Sequence, residues 1–283
     1  MSKSKTAPVV LITGTSTGVG LHTAIAFAMA GYQTIATMRD TSKKDELLAL
    51  AKANGVKIKV ERLDVQKKKS IESCVKKVLR KYGDIDVLVN NAGAGFLGGL
   101  EQTSDKDLER TMGINFFGVW YVTKAVFPHM RARGSGRIIT VTSVGGLIGQ
   151  PFNDAYCAAK FAVEGMMEAM APLAKQLGVQ VSLIEPGPIN TEFVNSARAS
   201  SDLSGFTAPY DAIVAKYMGA TGNVFAQFGQ SGADIGAVIL NAATTPNPDF
   251  RYITSDFARQ IVAPKVVDPS GNNVVDAFVA RLA

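Results

Sequence analysis

The stretch from Val9 to Gly20 constrains this chain more than any other. Val9-Val10-Leu11-Ile12 is a short apolar run of the kind that forms a strand buried on both faces. It runs directly into Thr13-Gly14-Thr15-Ser16-Thr17-Gly18-Val19-Gly20. Leu21 to Ala30 follows as an alanine-rich helix, and Gly31 ends it. A strand, a glycine-rich turn and a helix in immediate succession make a cradle for a dinucleotide phosphate. Glycines let the backbone approach the pyrophosphate, and the helix N-terminus offers unpaired N–H groups and a favourable dipole. Isolated glycines of this kind would mark only a tight turn; the flanking strand and helix favour nucleotide binding.

The rest of the chain repeats the pattern. Strands are expected at Gln33–Thr37, Val56–Leu63, Ile85–Val89, Arg137–Thr142, Val179–Ile184 and Arg251–Thr254. Helices are expected at 43–53, 70–82, 105–133, 156–175 and 233–243. Strands alternating with helices imply an α/β fold of the Rossmann type: a doubly wound, mainly parallel, seven-stranded sheet with helices on both faces. Residues 1–8 read as a flexible basic tail and 9–283 as one domain. Residues 190–231 lose the pattern, with loop-like stretches at 200–205 and 219–223, and read as a substrate lid by position. The tail from Lys265 shows a turn at Asp268-Pro269-Ser270-Gly271 and a short last helix.

In such a sheet the ligand gathers at the carboxyl ends of the strands, and polar candidates cluster there. Strand two ends at Met38-Arg39-Asp40. An acidic residue there meets the ribose 2′-hydroxyl of NAD, whereas an arginine pairs with the 2′-phosphate of NADP; here both signs are adjacent. Asp64 and Val65 follow strand three, with Asp64 placed to cap the next segment or hold the adenine. Asn90-Asn91-Ala92-Gly93 follows strand four. Asn115 lies between Gly113 and Gly118 in a stretch of weak helix propensity, as a core hydrogen-bonder or a kink. Strand five delivers Ser143. Tyr156 and Lys160 are four apart on the next helix, so phenol and ammonium share one face. Alone, that pair is an ordinary helix-surface pattern.

Composition narrows the class. The chain has a formal net charge of +6. Lys67, Lys68, Lys69, Lys76, Lys77, Arg80 and Lys81 surround an amphipathic helix and read as a solvated face. Interleaved aromatics are missing, so a nucleic-acid partner is not expected. Two cysteines, Cys74 and Cys157, give no metal spacing and fit a reducing, cytoplasmic setting. No apolar run reaches the roughly 20 residues of a membrane span, and no signal peptide is read at the start.

Taken together, Thr13-Gly14-x-x-x-Gly18-x-Gly20, Asn90-Asn91-Ala92-Gly93, Asn115, Ser143, Tyr156-x-x-x-Lys160 and Pro186-Gly187 resemble the single-domain short-chain dehydrogenases/reductases. The likeness spans nearly the whole chain. It is strongest to the 17β-hydroxysteroid and retinol dehydrogenases, through Gly134-Ser135-Gly136-Arg137, Ser143 to Leu147, Pro151 to Asp154 and Arg251-Tyr252. The resemblance implies a carbonyl–alcohol oxidoreductase. Tyr156 would be the general acid/base, Lys160 would lower its pKa and bind the nicotinamide ribose, Ser143 would orient the substrate oxygen, and Asn115 would hold a relay water.

Cofactor contacts are expected from Gly14, Ser16, Thr17, Gly18, Val19, Gly20, Arg39, Asp64, Val65, Asn91, Ala92, Gly93, Tyr156, Lys160, Pro186, Gly187, Ile189 and Thr191. The family's acidic position falls on Met38, and Arg39 occupies the phosphate-reading place, which points to NADP(H) over NAD(H). Substrate contacts are expected from Ser143, Val144, Asn153 and Tyr156, with Phe152, Leu147 and Phe193 suggesting an apolar pocket. The related steroid enzyme's lid histidine has no counterpart in 212–231. A homodimer or homotetramer is implied. The competing readings are a catalytically idle NADP-sensing regulator on the same fold, which predicts a damaged catalytic set, and a nucleotide-sugar epimerase. The latter needs glycine at position 17, which is Thr17.

Overall fold

The computed structural model describes residues 7–192, 201, 205–267 and 279–280. The sheet has seven strands in the order β3-β2-β1-β4-β5-β6-β7: β1 Val9–Thr13, β2 Gln33–Met38, β3 Lys59–Arg62, β4 Val87–Asn90, β5 Gly136–Val141, β6 Val179–Glu185 and β7 Arg251–Ile253. Every pairing is parallel. The order reverses between β1 and β4, and there a crevice opens at the strands' carboxyl ends.

The period-two alternation of a strand assigns β1 to both cores. Val9 and Leu11 face one side, packed with Val75, Val122, Val126 and Val163. Val10 and Ile12 face the other, packed with Leu21, Phe27, Leu47 and Ile239. The longer helices among the described residues are α1 Gly18–Met29, α2 Asp45–Ala53, α3 Lys68–Tyr82, α4 Asp105–Met112, α5 Gly118–Arg133, α6 Asp154–Gln176, α7 Tyr210–Phe228, α8 Gly232–Thr244 and α9 Asp256–Val267.

Four expectations are revised. The strand expected at Val56–Leu63 is shorter, because only Lys59 to Arg62 find partners on β2. The long helix expected over 105–133 is interrupted by a π turn, Gly113–Phe117, at the weak spot around Asn115. Residues 219–223 are not a loop; they lie inside α7. Here the apolar stripe Ile213, Val214, Tyr217 and Met218, packed against Leu97, Phe152 and Phe206, outweighs the roughly 1 kcal/mol each glycine costs a helix. Finally, α9 was not foreseen. It starts where Ser255 Oγ accepts the Ala258 N–H at 3.2 Å, and it packs on Val144 and Ile148. The turn expected at 268–271 lies outside the described residues.

Gly219 tests the α7 assignment. It is exposed, and a methyl group added there meets nothing within 4 Å. Gly219→Ala is therefore expected to stabilise the protein by about 0.5–1 kcal/mol, read as a raised Tm. A lowered Tm would place 219 outside a helix.

Candidate active site

The cradle after β1 is fixed by backbone geometry. Gly14 has φ +71°, and a methyl group on it would lie 2.7 Å from Ala92 Cα. A methyl on Gly20 would lie 2.2 Å from the Gly14 carbonyl oxygen. Only glycine lets turn, helix and the β4 loop come this close. Asn91 pins the turn: its Nδ2 donates to Thr13 O and Gly14 O, both at 2.9 Å. The Thr13 hydroxyl in turn accepts the Asn91 and Ala92 N–H groups at 3.0 Å. The first turn of α1 carries no acidic residue, so its positive dipole end is not neutralised. A phosphate group fits this cradle.

At the end of β2 the two opposite charges separate. Asp40 Oδ1 accepts from Ser42 N at 3.0 Å and Ser42 Oγ at 2.7 Å, capping the next short turn. Those bonds hold its carboxyl below the usual range, with Arg39 only a minor contributor. Among the described residues Arg39 makes no ion pair with Asp40 and lines the crevice. Asp64 accepts the Gln66 N–H at 3.1 Å. It thus caps the segment after β3 while also lining the crevice.

The other end of the crevice holds the titratable set. Ser143 leaves β5 in extended conformation, and its Oγ accepts the Gly145 N–H at 3.0 Å. Its side chain also hydrogen-bonds Tyr156, which is buried on α6. Burial pushes the phenol well above its ordinary value, and the Ser143 bond partly opposes this. Tyr156 is thus a proton-bearing phenol at neutral pH. The Lys160 Nζ lies 5.7 Å from the Tyr156 ring centre and donates to Val141 O at 3.0 Å. Burial pushes Lys160 down to about 8, against the opposing pull of Glu164. The Ser143 bond thus acts on the phenol in the direction that the resemblance assigns to Lys160.

Asn115 is fully buried in the π turn. Its Oδ1 accepts from Ala94 N at 3.0 Å, and its Nδ2 donates to Ala94 O at 2.8 Å and Thr111 O at 3.1 Å. Its side chain therefore clamps the loop after β4, and it does not line the crevice. Every cofactor and substrate residue expected from the sequence does line it, in one cavity of about 510 Å³.

The apolar wall differs from expectation. Leu147 packs instead with the α9 cluster, and Phe152 lies beneath α7 against Phe206 and Tyr217 at ring distances of 5.4 Å. Phe193 lies outside the described residues. Phe152 holds φ +59°, a conformation costly for a bulky residue. In this conformation its ring packs under α7 and Asn153 lines the cavity, where Asn153 Nδ2 donates to Tyr217 Oη at 2.9 Å. The wall itself comes from Leu97, from Tyr217, Met218 and Phe225 on α7, and from Phe257 and Ile261 on α9. The helical spacing of the α7 residues was the available signal.

A phosphate cradle, a half-buried Ser143 beside the buried Tyr156 and Lys160, and an apolar wall on one crevice define a dinucleotide-dependent oxidoreductase of the doubly wound class. Comparison with known proteins makes this specific. Residues 8–202 match the family described as short chain dehydrogenase, and the chain belongs to that family. It is 36% identical to human 17-beta-hydroxysteroid dehydrogenase type 1, over 95% of this chain and 84% of that protein. It is 38% identical to bovine retinol dehydrogenase 8, over 93% and 86%. A short-chain dehydrogenase structure from Streptomyces avermitilis superposes with a TM-score of 0.81 at 29% identity, covering 99% of both chains. Solved neighbours of the fold include complexes with NAD and with NADP.

Proposed function

We propose that the protein is an NADP(H)-dependent oxidoreductase that interconverts a carbonyl and an alcohol on an apolar substrate, steroid-, retinoid- or lipid-like. The observation that carries this reading is that the phosphate cradle, the Ser143–Tyr156 pair and the α7–α9 wall all line one cavity. When bound, the dinucleotide supplies hydride exchange at its nicotinamide. The chain supplies the proton. Ser143 orients the substrate oxygen, and Tyr156, held as a phenol, donates to that oxygen during reduction. Lys160 contributes its charge beneath the phenol and a donor for the ribose. Asn115 serves by fixing the Ala94 loop. For NADP, the support is that Asp40 is engaged by Ser42 and leaves Arg39 to meet a 2′-phosphate.

We read α7 as a lid over the substrate end. We also propose a cytoplasmic homodimer or homotetramer pairing through α5, the π turn before it and α6, where Phe117, Trp120, Phe161 and Leu173 are exposed. Among the described residues no helix is long and apolar enough to cross a membrane.

The apolar wall gives a direct test. In a panel of carbonyls and alcohols run with NADPH or NADP, kcat/KM is expected to rise steeply from short aldehydes to retinoids and steroids. Each extra buried methylene is worth about 0.8 kcal/mol. A flat response across the panel would rule out the apolar-substrate reading.

A further inference from the structure

The catalytic end of the crevice holds a polar group that the chemistry above does not use. Two carboxamides, Asn153 and Gln150, line it beside Ser143 and Tyr156. Asn153 spends its amide donors on Pro151 O and Tyr217 Oη, both at 2.9 Å. The Gln150 carboxamide has no hydrogen-bond partner among the described residues. Its backbone, by contrast, is pinned to the start of α6. The Gln150 carbonyl accepts the Asn153 N–H at 3.1 Å, and the Cys157 thiol bonds the main chain of the same residue. The base of the side chain is therefore fixed relative to Tyr156, one turn further along.

Gly145 locates the other end of that side chain. A methyl group on Gly145 would lie 3.3 Å from Gln150 Oε1 and 3.4 Å from Ser143 Oγ. The carboxamide and the serine hydroxyl thus border one small gap, and the same serine bonds Tyr156. A substrate oxygen held by Ser143 and Tyr156 has Gln150 as its next polar neighbour. Around it the cavity is bordered by Val144, Tyr217 and Met218. We propose that Gln150 is a specificity-determining residue that binds a second polar group of the substrate: a hydroxyl one or two carbons from the reacting carbonyl. A hydroxyl both donates and accepts, so it satisfies either side of the carboxamide. A wholly apolar substrate would cover the carboxamide and leave it dry and unpaired, which is unfavourable. The substrate is then an apolar body that carries a hydroxyketone in its oxidised form and a diol in its reduced form.

The inference rests on the carbonyl–alcohol reading proposed above, and its test separates the two. The probes are 1-hydroxy-2-dodecanone and 1-hydroxy-3-dodecanone, each against the same ketone without the hydroxyl. Affinity is read by calorimetry on the full chain saturated with NADP, which has no hydride to give a ketone. Turnover is read as kcat/KM with NADPH. The wild type is expected to prefer at least one hydroxyketone over its plain partner by about fivefold to tenfold in both readouts, the worth of one neutral hydrogen bond. Gln150→Leu keeps the bulk and removes the carboxamide; Gln150→Met is a second such variant should the first not fold. Both are expected to erase the preference by weakening the hydroxyketone alone. A wild type without the preference, a variant that keeps it, or an equal loss on both members of a pair would overturn the inference. A preference in binding that Gln150→Leu erases, with no NADPH oxidised by any ketone, would uphold it and contradict the reductase reading instead.

Discussion

Tyr156→Phe is expected to lower turnover by about a hundredfold to ten-thousandfold, the range that positioned proton transfer contributes. Phenylalanine keeps the ring and its packing, since Tyr156 is only 9% exposed. It removes the hydroxyl, and with it the bond to Ser143. No neighbouring group can take over: Lys160 Nζ is committed to Val141 O at 3.0 Å, and burial raises the Cys157 thiol to about 11. Cofactor affinity should change little, because the cradle of Gly14, Gly20 and Asn91 does not involve the phenol. The check is a pair of measurements, kcat with a good carbonyl substrate and NADPH affinity by fluorescence. Near-wild-type kcat would remove Tyr156 from the chemistry.

Arg39→Ala should separate the two nicotinamide cofactors. A charge-assisted bond to phosphate is worth about 1.5–3 kcal/mol, so kcat/KM for NADPH is expected to fall at least about tenfold. NADH, which lacks the phosphate, should be nearly unaffected. Because Arg39 is exposed, the NADPH penalty should shrink as salt is raised. Asp40 Oδ1 is held by both Ser42 bonds and turned toward the next short turn. Equal losses with both cofactors would contradict the phosphate role.

The order of strands and helices was legible because buried parallel strands and amphipathic helices write different periods into the sequence. The cradle was legible because glycine is demanded at Gly14 and Gly20 by contacts under 3 Å. Three things were not. Helix α7 was masked by Gly219 and Gly222, which a local reading takes for turn signals. The stripe from Ile213 to Phe225 becomes informative only once its partners Phe152 and Phe206 are in place. The electrostatic balance at Tyr156 was hidden as well: spacing shows which charges are near, whereas burial decides which dominates. Last, the tie between Glu164, Glu185 and Arg251 joins residues up to 87 apart in sequence, a contact no local pattern encodes.

The most direct test of the account is a single-turnover experiment. Wild-type protein is mixed with NADPH and an apolar ketone or aldehyde, and nicotinamide absorbance is followed by stopped flow, with Tyr156→Phe alongside. The account predicts rapid cofactor oxidation in the wild type and a phase slowed at least about a hundredfold in the variant. Tight NADPH binding with no oxidation, whichever carbonyl is offered, would contradict it and make the protein a sensor of the cofactor.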